Sequence, residues 1–382
     1  MRRDLTMRRR GGYPSCMDTF THGVLGAVTA QLGFRQRIGR EAAWVAAAVA
    51  LLPDLDMTAV SVKSLFGLPR MSLDMMVIHR GLSHSLFLMP LLALPLAFLW
   101  RVVRRRFAKG AQPSFRLLYF CVLTALCSQP LLDIFTSYGT QIFSPFTHKR
   151  FAIDALPIVD IIYTPILLLT LLACLIARLT KRRGTLKVAW LGFLISVAYI
   201  AAGFGIHEMV LHQAKIQIGD CGEDRAAPAE FRAYPQIGTI FVWRVTRQCP
   251  HSWFAARVNV LFGIDFRSAA QSETEIIDNE WVRKARQLPE IKTFDWFALG
   301  QLRAAYTEDG GKHMVDFYDM RYAMRPEGLT SIWSIRAVFD ESGKLVEVGL
   351  AQQYGRGSRL QTVGEMWRYI THPSLKNEET EK

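Results

Sequence analysis

Four apolar stretches, residues 86–103, 117–135, 156–177 and 188–206, are long enough, or nearly so, to cross a bilayer as helices. A hydrocarbon core of about 30 Å calls for about 17 to 25 residues per helix. Lipid offers no partner for a backbone N–H or C=O, so this half of the chain is committed to helices that satisfy those groups internally. Two weaker helical stretches precede them, residues 19–34 and 41–52, short for a span and rich in Ala and Gly. Small residues let helices approach closely, and these two are expected to form a hairpin against the bundle. Half of the 382 residues are hydrophobic, which is too many for a wholly soluble chain. Beyond Ile206 charged and polar residues alternate with short hydrophobic runs. The expected architecture is therefore an α-helical membrane bundle of about six helices, residues 17–206, followed by a smaller α+β extramembrane domain, residues 207–382.

Orientation follows from the basic loops, since short loops rich in Lys and Arg stay in the cytoplasm. These are residues 35–40, 101–116 with Arg104, Arg105 and Arg106 in a row, and 178–187 with Lys181, Arg182 and Arg183. Placing all three inside puts His22, Asp54, Asp56, His79, His84, Asp133, Asp154 and Asp160 on the outer side together with the C-terminal domain. The net charge of +13 then reports topology and contact with bilayer lipids, and no nucleic-acid partner is expected. Residues 1–16 carry five arginines that conflict with this orientation. Initiation at Met17, with residues 1–16 a non-native extension, removes the conflict most simply; the alternative is a first segment that lies in the interface without spanning and leaves the arginines inside. Cys221 and Cys249 are the two cysteines of the C-terminal region, where an oxidising compartment allows a disulfide between them.

In the C-terminal region, residues 239–247 and 253–262 read as strands and residues 273–287 as a helix. Turns at Asp309-Gly310-Gly311 and Glu341-Ser342-Gly343 signal two hairpins. The run HEMVLH at residues 207–212 has one residue more than HExxH, which sets its histidines about 140° apart on a helix. It is set aside as a metal site.

The chemistry sits at the mouths of the apolar runs. Ionisable groups beside a bilayer core cost several kcal/mol unless they pair, sit in a wet cavity or bind an ion. In MDTFTH, Asp18 and His22 are four apart and share a helix face; the competing reading of Asp18 is a helix cap. In PDLD, Asp54 and Asp56 follow a proline that turns the chain out of its helix and frees both carboxylates to bind an ion. In HRGLSHS, Gly81 permits a bend that brings His79 and His84 inward, with Arg80 between them to hold an anionic substrate oxygen. Asp133 and Thr136 share a face near the end of one span, and Asp160 lies one turn into the next.

In the order MDTFTHGVLG, PDLD, HRGLSHS, LLDIFTSYG, SPF and PIVD, these motifs resemble the YdjM-type family of inner-membrane proteins, whose histidine and aspartate pattern has them classed as metal-dependent hydrolases. The resemblance covers residues 17–205 and implies a bacterial inner-membrane location and Met17 as the natural start. The expected ligands are His22, Asp54, His79, His84 and Asp133, with Arg80 and Asp56 as catalytic groups and Asp18, Thr136 and Asp160 as supporting positions. A His/Asp donor set suits zinc first, and also manganese or iron. The expected reaction is attack of metal-activated water on an ester or phosphoester at the outer membrane face, with a lipid-like substrate. The alternatives are a non-catalytic metal-binding or partner-binding membrane protein, and ion transport. Transport would need ionisable groups in the cytoplasmic half of the spans, where few occur.

Overall fold

The structure, a computed structural model, describes residues 15–56, 73–108, 111–181, 184–221, 228–323, 325–351, 364 and 367–372, apart from the side chains of residues 15–18 and 74. Most of the 1–16 extension and the side chain of Asp18 thus lie outside the described residues. The N-terminal half is helical: α1 (Ser15–Gln31), α2 (Phe34–Ile38), α3 (Glu41–Ala50), α4 (Leu73–Ile78), α5 (Met89–Phe107), α6 (Phe115–Asp133), α7 (Tyr163–Leu179) and α8 (Thr185–Ile218).

Local chemistry sets several of these boundaries. Ser114 caps α6, its hydroxyl accepting from the Leu117 amide at 3.3 Å. Gly33 and Gly39 take positive φ on either side of α2, which lets the chain turn from α1 into α3. The expected hairpin of α1 and α3 forms with close backbone approach. A Cβ on Gly26 would lie 2.6 Å from both the Ala46 carbonyl oxygen and the Ala50 Cβ.

The expectation of about six membrane helices is not met by length. Among the described residues α6 and α8 are long and apolar enough to cross a bilayer, and residues 75–84 with α5 make a third candidate bent by 69°. At 1.5 Å per residue the 17-residue α7 reaches about 26 Å and the 10-residue α3 about 15 Å, both short of the hydrocarbon core. α8 is the opposite case. Its 34 residues run without a break through the domain boundary expected at Ile206, and Val210 and Ala214 near its far end belong to the core of the C-terminal domain.

The bundle has two chemically distinct ends. At one, Arg178 of α7 donates to Gln31 at the end of α1 at 2.5 Å, and Arg104 of α5 pairs with Glu41 at the start of α3. At the other, Thr21 of α1 meets Thr164 of α7 at 2.6 Å, and His22 meets Asp133 at the end of α6. The chain between α6 and α7 folds back over this second end as a platform. Thr140 and Phe151 bridge antiparallel, Thr136 and Leu156 bridge parallel, and Asp160 bridges to Gly238 of the C-terminal domain.

That domain holds two four-stranded antiparallel sheets in sequential order. The first comprises β1 (Glu230–Pro235), β2 (Val242–Gln248), β3 (Ser252–Asn259) and β4 (Gln271–Glu275) and packs on α8 through Phe231, Trp243, Val245 and Phe254. Helices α9 (Glu280–Arg286) and α10 (Pro289–Phe297) follow. The second sheet is β5 (Leu302–Asp309), β6 (Lys312–Asp319), β7 (Ser334–Phe339) and β8 (Leu345–Ala351), containing both expected hairpins. The helix expected over residues 273–287 is half strand. Residues 271–275 pair with β3 at the sheet edge, where charged side chains alternate outward, and the helix starts only after Asn279, whose side chain accepts from the Val282 amide. Cys221 and Cys249 form the disulfide. Phe294 and Phe297 of α10 share a buried cluster with Met76 of α4 and Tyr138 of the platform, so the second sheet's layer rests directly on the helical half.

Candidate functional site

Four separate segments converge beneath the platform. His22 comes from α1, Asp54 from the turn that closes α3, His84 from a 3-10 turn (Leu82–His84), and Asp133 from the last turn of α6. His22 and His84 are 1% and 0% exposed and Asp133 is 0% exposed, so none of this charge is in contact with solvent. The Asp133 carboxylate is the hub. His22 Nε2 stands 3.2 Å from Oδ1, His84 Nε2 3.3 Å from Oδ2, and Arg80 Nη2 2.9 Å from Oδ1. His84 Nε2 also lies 3.4 Å from Asp54 Oδ1. Asp54 is pushed upward by burial, but its contact with His84 and the charge of His22 outweigh this and hold it below the usual carboxylate range.

A second layer runs outward from His84. Ser83 Oγ donates to Asp56 Oδ2 at 2.6 Å and stands 2.9 Å from His84 Nδ1, while Asp56 Oδ1 holds His79 Nδ1 at 3.0 Å. A serine has one hydroxyl proton. If Asp56 receives it, His84 Nδ1 is the donor to Ser83, and His84 Nε2 turns toward two carboxylates bearing either a second proton or a bare lone pair.

Whether a divalent ion fits can be judged on the donors themselves. Two imidazole nitrogens and carboxylate oxygens are the ordinary ligands of zinc, and bonds of about 2.0–2.1 Å give tetrahedral donor–donor edges of about 3.3–3.4 Å. The observed separations of 3.2, 3.3 and 3.4 Å match those edges. Both Asp133 oxygens are buried and make these ion pairs without a hydrogen bond, a costly state for a carboxylate that a bound cation relieves. Against this, no group of three or more His, Cys, Asp or Glu among the described residues closes on a single point. Arg80 already occupies one side of Asp133. The donors suit a divalent ion in chemical type, and their arrangement here is one of pairwise contacts.

Arg80 is 2% exposed and also donates to Thr136 Oγ1 at 2.7 Å, with its guanidinium 4.9 Å from the Tyr138 ring centroid. Its φ of 57° is a left-handed conformation that costs a non-glycine residue about 1–3 kcal/mol. The side chain expected to clamp substrate thus contacts both Asp133 and Thr136. His79 stands apart from the His22, His84 and Asp133 contacts, bound to Asp56 and edge-on to Tyr138 at 5.4 Å. Asp160 takes its partners elsewhere: it caps α7 through the Ile162 and Tyr163 amides at 2.7 and 2.9 Å and accepts from Tyr199 at 2.8 Å. Burial still pushes its carboxyl above the usual range, although the two backbone N–H groups and the tyrosine oppose it.

Gln129 was not foreseen. It is fully buried one turn before Asp133, donates to Asp54 Oδ1 at 2.5 Å and lies 3.3 Å from His84 Nε2. The sequence did carry a signal for it: an amide four residues before an aspartate on an apolar helix places both on one face.

A family model described as YdjM inner membrane protein matches residues 17–210, just over half of the chain, and includes every residue of the cluster. No curated protein and no solved structure matches the chain. The ordered motifs and this match agree, and the chain belongs to the YdjM inner membrane protein family.

Proposed function

We propose that the chain is a membrane-bound metal-dependent hydrolase whose site faces the extracytoplasmic side of the inner membrane. The observation that carries this reading is the chain of pairwise contacts that links His22, Asp133, His84 and Asp54, from four segments, in one buried cluster. Two features support the orientation. The arginine-rich helix ends lie at the opposite end of the bundle, and the Cys221–Cys249 disulfide belongs to an oxidising compartment. A multi-pass arrangement with an extracytoplasmic C-terminal domain satisfies both.

His22, His84, Asp54 and Asp133 would hold the ion, with zinc first and manganese or iron as alternatives. A bound divalent ion would lower the pKa of a coordinated water toward neutrality and polarise an ester or phosphoester oxygen. Arg80 and Thr136 fix the orientation of Asp133, and Gln129 fixes Asp54. Asp56 sets the ring of His79, which is 14% exposed and so within reach of solvent, as a proton acceptor beside the ion. Ser83 ties this pair to His84, so ligand and base are oriented by one hydroxyl.

The rival is a non-catalytic membrane protein, and it has Arg80 in its favour, because that ion pair meets the charge of Asp133 without a metal. Metal analysis of the purified chain, followed by a phosphoester and lipid hydrolysis screen, separates the two. Wild-type protein is expected to carry about one ion per chain, and His84→Ala to lose it together with activity while still inserting, because a ligand contributes mainly to the ion. Equal metal content in the two proteins, or none in either after loading with zinc, manganese or iron, overturns the reading.

A further inference from the structure

Beside the polar cluster lies a cavity of about 260 Å³ whose walls are almost wholly apolar. Leu92, Pro95 and Leu96 of α5 form one wall, Leu126 of α6 its floor, and Leu52 and Pro53 its upper side. Leu126 is 1% exposed and Leu92 43%, so the cavity is closed inside and open at the bundle surface. It opens beside Leu91, Leu94, Phe98 and Leu99, exposed apolar residues of α5 that form a lipid-facing surface on an inner-membrane protein. Pro95 helps make the space, since a proline inside a helix leaves the carbonyl four residues earlier without its donor and bends the helix.

The polar end is Ser83, the one hydrophilic side chain among the described residues of the lining, and it touches Asp56 and His84. An occupant must therefore be apolar along most of its length and carry a polar group at one end, and it must enter from the bilayer. We infer that the cavity receives one acyl chain of a membrane lipid, and that the carboxyl ester joining that chain to the rest of the lipid comes to rest at Ser83, beside the His84–Asp54–Asp133 cluster. Its volume accommodates roughly eight or nine methylene-sized units, taking each as about the 30 Å³ of a water molecule in the liquid. The chain would be gripped by its first carbons while the rest stays in lipid. Pockets of this form, apolar with a single convergent polar edge, fix the orientation of a ligand through that edge. The chemistry of the cleavage rests on the hydrolase reading above; the binding of the chain does not.

The test uses the full-length protein in phospholipid vesicles doped with a phosphatidylcholine whose acyl chain carries a photoactivatable diazirine near the ester. Peptides labelled on illumination are mapped by mass spectrometry. Labelling is expected to exceed that of the outward residues Phe98 and Leu99 several-fold at positions 92–96 and 126, and to fall in Leu92→Trp, which fills the mouth. Even labelling over all lipid-facing positions, or selective labelling untouched by Leu92→Trp, overturns the inference. A second measurement compares esters of two-carbon and ten-carbon acids. A lower KM for the longer chain supports the inference, and equal KM values refute it while leaving the hydrolase reading intact. Selective labelling with no hydrolysis of either ester supports chain binding and refutes the hydrolase.

Discussion

The ion pair of Arg80 and Asp133 gives the most exacting test of how the site is built. Both side chains are buried, 2.9 Å apart, and Thr136 is the neutral oxygen that the guanidinium also engages. Asp133→Asn removes the charge opposite Arg80; Arg80→Met removes the guanidinium from a carboxylate that keeps His22 and His84 as neighbours. Breaking a buried pair from one side costs about 3–5 kcal/mol, whereas replacing both partners costs far less because no uncompensated charge remains. Independent sites would therefore lose about 6–10 kcal/mol in the double variant, and a coupled pair no more than about 3–5 kcal/mol. Each single loss amounts to roughly two to nearly four powers of ten in the folding equilibrium. The assay is thermal or denaturant unfolding of the four detergent-purified proteins after chelation, so that no bound ion adds to the wild-type value. Additive losses, or an Asp133→Asn variant as stable as wild type, would show that the charges do not depend on one another and would remove the structural role given to Arg80.

Asp154 is buried beside Ser137, His207, Arg321 and Arg232, and burial outweighs them and raises its pKa above 3.8. The folded state therefore binds a proton that the unfolded state has lost, so stability falls as pH rises from about 4 through the raised value, and the loss persists above it. Asp154→Asn should remove that component and flatten the pH profile, with no loss at neutral pH, since Asn also tolerates the φ of 58° found there; melting curves across pH check this, and a destabilised variant at pH 7 refutes it. Gly26→Ala gains about 1 kcal/mol of helix propensity but sets a Cβ 2.6 Å from the Ala46 carbonyl, and overpacking of about 1–3 kcal/mol makes a net loss of up to about 2 kcal/mol in detergent melts. A reporter fused after Lys382 should behave as extracytoplasmic and one placed near Arg105 as cytoplasmic; the reverse pattern would refute the orientation.

Much of the site was legible because its residues are costly where they stand. His22, Asp54, His84 and Asp133 interrupt apolar sequence, and the expense of ionisable groups there predicts that they meet. What could not be read was how they divide. His79 and His84 look equivalent on either side of Gly81, yet the left-handed turn at Arg80 sends one ring to Asp56 and the other to Asp54 and Asp133. Asp160 looked like part of the same set because burial of a carboxylate is equally costly wherever it occurs, and here two backbone amides and Tyr199 meet that cost locally. In the C-terminal half, the Gly-containing turns marked their hairpins, whereas the helix read over residues 273–287 took in Glu273 and Glu275, glutamates that favour a helix in isolation; pairing with β3 overrides that preference. The span count of about six is met only in part by helix length, since hydropathy reports which residues tolerate lipid and not how many of them the backbone keeps in one helix.

α8 has a mechanical consequence. Its 34 residues reach about 51 Å, so about 20 Å stands beyond a 30 Å hydrocarbon core, and the first sheet is mounted on that projecting part. Among the described residues α8 is unbroken from its apolar part to the part that carries the sheet, so if it spans, the sheet would lean as the helix leans, and roughly 10° of added tilt would sweep the far end sideways by about 9 Å. The second sheet rests on Met76 and Tyr138, and Tyr138 lies against the Arg80 guanidinium. A thinner or thicker bilayer would thus act as a load on the lever, delivered at the residue that orients Asp133.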